Sequence, residues 1–233
     1  VCKTSRCSKG QMRILQFAHV YFSYFVFAQQ GSLHTLAFYN VENLFDTKDN
    51  TKTFDDDYTP TGRNKWTRRL MDQKIKLLSD VLFSIGNKET KSPPLLIGLV
   101  EVENRKVIEK IVSSKKLKPY NYGIIHFDSP DFRGIDSALL YRKTLFKIRH
   151  QKTYALELID LKSGNKRTTR DILVVSGYLI QHHLTILVNH WPSRRGGKVR
   201  SAPQRLKAAQ LHRKIADSVT RKHPNGKIIC MGD

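Results

Sequence analysis

The sequence predicts an α+β or layered α/β domain, in which sheets are covered by helices. Three observations lead there. Short runs of β-branched and aromatic residues recur from Leu33 to the C-terminus, as buried strands require. Two other stretches space their apolar residues by three and four, the period of a helix with one buried face. The strands come in consecutive, hairpin-like order punctuated by those helices.

Taken in order, LHTLAFYNVE (33–42) reads as the first strand, and the polar stretch 43–66 has too few spaced apolar residues to be anything but a loop. Met71, Ile75, Leu78, Leu82 and Ile85 form one apolar helical face that ends at Gly86. PPLLIGLVEV (93–102) is an apolar strand that stops at Glu101, and 103–112 is a short helix with Val107, Ile108, Ile111 and Val112 inward. YGIIHFD, IDSALLYR, ILVVSGYLI and HLTILVNHW follow as strands. Ala208, Leu211, Ile215 and Val219 mark a second amphipathic helix, and KIICMGD is a last buried strand. There is no internal repeat and no low-complexity tract.

The chain of 233 residues has length for one sizeable core, and 39% hydrophobic residues is an ordinary globular composition. Its charge is less ordinary. With 41 Lys+Arg against 20 Asp+Glu, a net charge of +21 points to an anionic partner: nucleic acid, phospholipid headgroups or phosphorylated metabolites. A generally basic solvated surface is the bland alternative.

Near the N-terminus, Met12 and Arg13 are followed by a mostly apolar run to Ala28, with Val26 and Ala28 at the small-residue positions of a cleavage site. The run is short for a membrane span of about 20 residues. It is read as a signal peptide cleaved after Ala28, giving an exported (periplasmic or extracellular) mature domain over 29–233 with no transmembrane segment; a buried strand or a membrane anchor is the alternative. Residues 1–11 are read as upstream of the initiator. Cleavage removes Cys2 and Cys7 and leaves Cys230 alone, so no disulfide framework is implied.

Polar residues recur where the apolar strands end: Asn40 and Glu42, Glu101, Asn189 and His190, and Asp233. Strand ends that share one edge of a sheet converge on one patch, where α/β folds build their sites. Glu42 and Glu101 are hard oxygen ligands suited to Mg²⁺. His190 can give a proton or a hydrogen bond to a phosphoryl oxygen, Asn40 and Asn189 can orient water or ligand without adding charge, and Asp233 can align a nucleophilic water. No zinc spacing, phosphate-binding glycine loop or serine-nucleophile elbow is present. The set points to metal-assisted hydrolysis of a phosphate ester.

Five segments, FYNVENLFD, GLVEVEN, FRGIDSALLYR, VNHWPSRRGG and the terminal MGD, resemble in that order the successive motifs of the endonuclease/exonuclease/phosphatase superfamily. The likeness runs from about Leu36 to Asp233. It implies a deoxyribonuclease I-like four-layer α/β/β/α sandwich and in-line attack of water on a phosphate ester, with Mg²⁺ or another hard divalent cation such as Mn²⁺. It further implies that Asn40, Glu42 and Glu101 hold the metal and that Arg133, with Asp136 beside it, lies near the phosphate. His190 and Asn189 would face the scissile group, and Asp233 would position the attacking water. The superfamily pattern continues past Asp233 with an Asn two residues on and, later, a Ser-Asp-His motif. The resemblance therefore implies a fragment that lacks the last strands of one sheet, and one that alone is nearly inactive.

Arg194, Arg195 and Lys198 are read as reaching flanking phosphates, with Gly196 and Gly197 permitting close approach. Arg200, Arg205, Lys207, Arg213 and Lys214 are read as a solvated helix face, His182, His183 and His212 as surface or hairpin residues, and the acidic DDDY at 55–58 as a solvated loop. Trp66 and Trp191 suit either base stacking or the core rim. The function expected is an exported nuclease with nucleic acid as substrate, acting as a monomer without a stable protein partner. The alternatives are a phosphatase or phospholipase-type diesterase, or a non-catalytic nucleic-acid-binding protein on the same scaffold.

Overall fold

The first strand, β1 (Leu36–Leu44), pairs in parallel with β2 (Leu96–Val102), and the helix α1 (Arg68–Ser84) carries the chain between them. This is a computed structural model, and it describes residues 33–159 and 164–233; the signal segment and the initiator expected at Met12 lie outside the described residues. A short helix α2 (Asn87–Thr90) precedes β2, and α3 (Arg105–Val112) follows it. Two antiparallel strands, β3 (Tyr122–His126) and β4 (Asp136–Arg142), complete a sheet of order β1-β2-β4-β3.

The second half builds a similar sheet. Its strands are β5 (Phe146–Tyr154), β8 (Ile172–Leu179), β9 (His182–Asn189) and β10 (Lys227–Gly232), in the order β10-β9-β8-β5. Here too one edge pair, β9 with β10, is parallel and is joined by a helix, α4 (Lys198–Lys222). A small hairpin of β6 (Leu158–Ile159) and β7 (Lys166–Arg167) stands apart.

The strand alternation decides the layers. Ile97, Leu99 and Val102 of β2 face α1 and α3 and meet Ile75, Leu78, Leu82, Ile108 and Ile111, all buried. Leu96 and Val100 face the other way and pack on Val175, Leu184, Ile186 and Val188 of the second sheet. The far face of that sheet packs Val174 and Leu187 on Ile215 of α4. This is the expected four-layer α/β/β/α sandwich, and no helix among the described residues is long and apolar enough to cross a membrane. Gly98 lets the sheets close: a Cβ there would sit 2.4 Å from Sδ of Met231.

Two elements depart from the sequence reading. β5, FKIRHQKTY, is an edge strand whose polar residues stay exposed, so it carries little of the hydrophobic signal that marks strands. The DDDY segment is not simply solvated. Asp55 is 2% exposed and accepts hydrogen bonds from the Asn50 amide and the Thr53 hydroxyl, while the Tyr58 ring stacks on Phe45 at 4.2 Å.

Candidate functional site

The parallel pairs make β1 and β2 end at one edge of their sheet, and β9 and β10 at one edge of theirs. The first pair does not end smoothly. Asn40 pairs with Val100 and Leu44 with Val102, so β1 places three residues opposite one. β2 in turn has an extra residue against β4, since Val100 pairs with Ser137 and Val102 with Asp136. The surplus residues take left-handed conformations, with φ of 56° at Glu42, 60° at Asn43 and 65° at Glu101. For residues with side chains this costs of order 1–3 kcal/mol each, and such strain persists only where the surroundings hold it.

The holding contacts are visible. The Asn40 side-chain oxygen accepts from the Glu42 amide at 2.8 Å, and the Glu101 carboxylate accepts from the Asn43 amide at 3.0 Å. Lys74 of α1, lying over the Trp66 ring, donates to the Glu42 carbonyl. Burial pulls the Lys74 pKa down, and the Glu42 and Glu101 carboxylates pull it part of the way back. The bulges thus turn two carboxylates out of the strand alternation, Glu42 to solvent and Glu101 to a sheltered position with 15% of its side chain exposed.

The second pair ends regularly, and period two governs it. Val188 lies between the sheets, Asn189 turns to α4, and His190 turns back between the sheets. The expectation that Asn189 faces the phosphate with His190 is therefore corrected, because adjacent strand residues point to opposite faces. The Asn189 oxygen sits 2.9 Å from His212 Nδ1 and accepts from the Trp191 indole at 3.3 Å, and its amide donates to the Leu187 and Met231 carbonyls. His212, read from sequence as a surface residue, is the anchor that holds Asn189; its Nε2 also lies 3.0 Å from the Cys230 sulfur.

His190 is 8% exposed, with Nε2 3.5 Å from Glu101 and no partner for Nδ1 among the described residues. Burial first, then the Arg170 and Arg133 guanidinium groups, push its pKa down to about 3, against a smaller opposite pull from Asp233 and Asp131. The imidazole is neutral, so its contact with Glu101 is not an ion pair. Asp233 joins the two halves: its carboxylate accepts from the Asn40 amide at 2.9 Å, and its carbonyl accepts from the Trp191 amide.

Arg170, which the sequence reading missed, is 6% exposed and pairs with buried Asp131 at 3.1 Å while donating to the Trp191 carbonyl at 3.0 Å. Arg133 leans on the same Asp131 at 3.6 Å. Both line a cleft of about 560 Å³ with Glu101 and His190, and Arg167, Arg195 and Arg200 complete its wall. Arg200 was expected on a solvated helix face; α4 begins early enough to turn it into the cleft. Arg194 and Lys198 are exposed and do not line it. Asp136, expected beside the phosphate, is 3% exposed and is engaged by the Ser129 amide and hydroxyl and by His126 at 3.2 Å. That network anchors the turn before β4.

The donors at the β1 and β2 ends fit a hard divalent cation. They are all oxygens, and two carboxylates with water completing the shell is what Mg²⁺ accepts. Asn40 is engaged by the Glu42 amide and by Asp233, which leaves the Glu42 and Glu101 carboxylates as the groups that could hold an ion. Tighter groups of three occur among the described residues at His126, Asp128 and Asp136 and at Asp49, Asp55 and Asp56.

The profile of the endonuclease/exonuclease/phosphatase family matches residues 35–233. Among solved structures, TDP2 from Caenorhabditis elegans aligns at 19% identity with a TM-score of 0.50, over 72% of this chain and 43% of its own. The mannosyl-6-phosphatase Bt3783 of Bacteroides thetaiotaomicron aligns at 16% identity and 0.51, over 85% of this chain and 64% of its own. At such identities the likeness is one of fold, and this chain spans less than two thirds of either. No curated protein matches the sequence.

Proposed function

The chain belongs to the endonuclease/exonuclease/phosphatase family, and from that premise we propose that it is a metal-dependent phosphoesterase acting as a nuclease on phosphodiester bonds. The observation that carries this reading is the composition of one cleft. A sheltered carboxylate, Glu101, faces a neutral imidazole, His190, and five arginines line the surrounding wall.

A divalent ion bound by Glu42 and Glu101 would polarise the phosphoryl oxygens and lower the pKa of attacking water. Arg170 and Arg133 lie where a phosphate beside His190 would carry its charge. Held rigid by Asp131, they bring that charge compensation without reorganising. Neutral His190 is suited to donate a hydrogen bond from Nε2 to a phosphoryl oxygen rather than a proton. Asp233, held by the Asn40 amide, would orient the water. Arg167, Arg195 and Arg200 exceed what one phosphate group needs, which favours a substrate with several phosphates over a lone phosphomonoester.

Cleavage of plasmid and of oligonucleotides of graded length, with Mg²⁺ and with EDTA, tests the reading. Mg²⁺-dependent cutting that grows with polymer length supports it. Turnover of sugar or lipid phosphates in preference to DNA and RNA would sink the nuclease reading and leave the phosphoesterase one, and failure of the folded protein to bind Mg²⁺ or Mn²⁺ in calorimetry, a readout that needs no turnover, would sink both. We also infer export, from the apolar run after Met12; the secreted form should then begin at Gln29, which N-terminal sequencing reads directly.

A further inference from the structure

The distal half of the second sheet holds a groove that the proposed chemistry does not use. α4 covers β8, β9 and β10 and reaches β5 only at Tyr154, and a cleft of about 480 Å³ runs between β5 and the C-terminal turns of the helix. It starts beside His183, six residues before Asn189 on β9, so it lies about 20 Å along the strand from the catalytic edge. Its walls carry Arg149 and Lys152 from β5 and Lys222 from α4, and no carboxylate among the described residues lines it.

Some basic side chains on α1, α3 and the middle of α4 pair with acids, as Lys76 with Asp80, Arg105 with Glu109 and Arg213 with Asp217. In the groove no ion pair forms among the described residues, and the charges lie over aromatic faces: Arg149 over Tyr178 at 5.8 Å and Lys152 over Tyr154 at 4.0 Å. Tyr178 also meets His183 edge-on, and His183 stacks on His223 at 3.9 Å. His183 Nδ1 is buried without a partner among the described residues.

Unpaired cations alternating with flat rings along a groove are what a single strand of nucleic acid recognises, phosphates on the charges and bases on the rings. We propose that the groove between β5 and α4 binds a single-stranded nucleic-acid segment, separate from the catalytic cleft. A lone phosphate would use one cation. The spread of cations along β5 and across to α4 fits a run of them.

The test is fluorescence anisotropy of a labelled oligothymidylate with the full chain in EDTA, so that binding is read without cleavage and independently of the proposed reaction. Lys152→Glu with Lys222→Glu should weaken binding tenfold or more and reduce the salt slope by about 0.7 for each phosphate that is no longer neutralised. Tyr178→Ala, at the exposed ring of the groove, should weaken it several-fold with no change of charge, and an abasic strand of equal length should bind the wild type about as weakly as the normal strand binds that variant. Hydrolysis of a small phosphodiester should stay unchanged in all the variants. Wild-type affinity in the charge-reversed variant, or equal binding of abasic and normal strands, would overturn the proposal whether or not the protein proves to be a nuclease.

Discussion

The two halves of the catalytic edge reach the same place by opposite means. On the first sheet, β1 and β2 break their register, and three residues with side chains accept left-handed backbone to turn Glu42 and Glu101 into the site. On the second sheet, β9 and β10 stay in register to Asn189 and Gly232, and plain alternation delivers His190. Carboxylates that share a cation must be exposed enough to keep their charge, and a strand between two packed layers cannot expose them without leaving the pleat. A neutral imidazole has no such need and is buried in place. On the proposed function, the difference separates the strained, acidic residues that would hold the metal from the unstrained ones that would face the phosphate.

The separation of roles is greatest between two neighbours on the regular strand. His190→Ala, which removes a hydrogen-bond donor to the phosphoryl oxygen, should lower kcat by about 10²–10³-fold with little loss of stability. Asn189→Ala should do the reverse. It orphans His212 and the Trp191 indole, which costs about 1–3 kcal/mol and shows in the denaturant midpoint, while turnover changes only a few-fold. Equal kinetic losses in both variants would mean that alternation does not separate their roles.

On the strained side, Glu101→Gln should weaken apparent Mg²⁺ affinity by at least about tenfold, measured by activity against metal concentration. Glu101→Gly should lose as much activity yet gain roughly 1 kcal/mol of stability, because glycine accepts a φ of 65° freely. If Glu101→Gly is instead less stable than Glu101→Gln, the bulge is not strained.

The regular half was the more legible one in the sequence. Period two in HLTILVNHW and apolar spacing around Ala208 and Ile215 placed β9 and α4, and the same alternation, applied one residue further, would have put Asn189 and His190 on opposite faces. His212, beside Leu211 on the apolar stripe of α4, was an available hint that a polar residue is buried there. On the other half, the ordered motifs located Asn40, Glu42 and Glu101, but nothing in FYNVEN or LVEVEN announces a bulge, because glutamate and asparagine do not signal left-handed backbone as glycine does. Arg170 was unreadable for a different reason. Its burial depends on Asp131, 39 residues away, a pairing that no local pattern encodes. The β5 strand escaped notice because its exposed polar residues leave it little apolar period to detect.

Protonation opposes the two halves in a measurable way. His190, held down to about 3 in the fold against an ordinary 6.5, contributes stability that is present above pH 6.5 and is lost as pH falls towards 3. Burial chiefly pushes Glu103, just after β2, up to about 7 from 4.5. It binds its proton more tightly in the fold, so its contribution is present below pH 4.5 and is lost as pH rises through 7. Between 4.5 and 6.5 the two trends oppose each other. In metal-free protein Glu103→Gln should remove one of them, so that the melting temperature falls steadily below pH 6.5 where the wild type stays flatter. Identical profiles would show that the two halves are not balanced in this way.

Arg200 should matter least. It stands one turn into α4, exposed, on the outer wall of the cleft, and no ion pair fixes it among the described residues. A mobile exposed guanidinium contributes mainly long-range attraction, which salt screens within about 10 Å at 0.1 M. Arg200→Ala should therefore raise KM for an oligonucleotide a few-fold at low salt, leave kcat unchanged, and match the wild type at high salt. The buried pair works otherwise: Arg170→Ala strands Asp131 and removes charge beside His190, so its loss should persist at any ionic strength. The salt dependence of the two variants thus reads out which arginines belong to the rigid phosphate-side half and which only steer the substrate towards it.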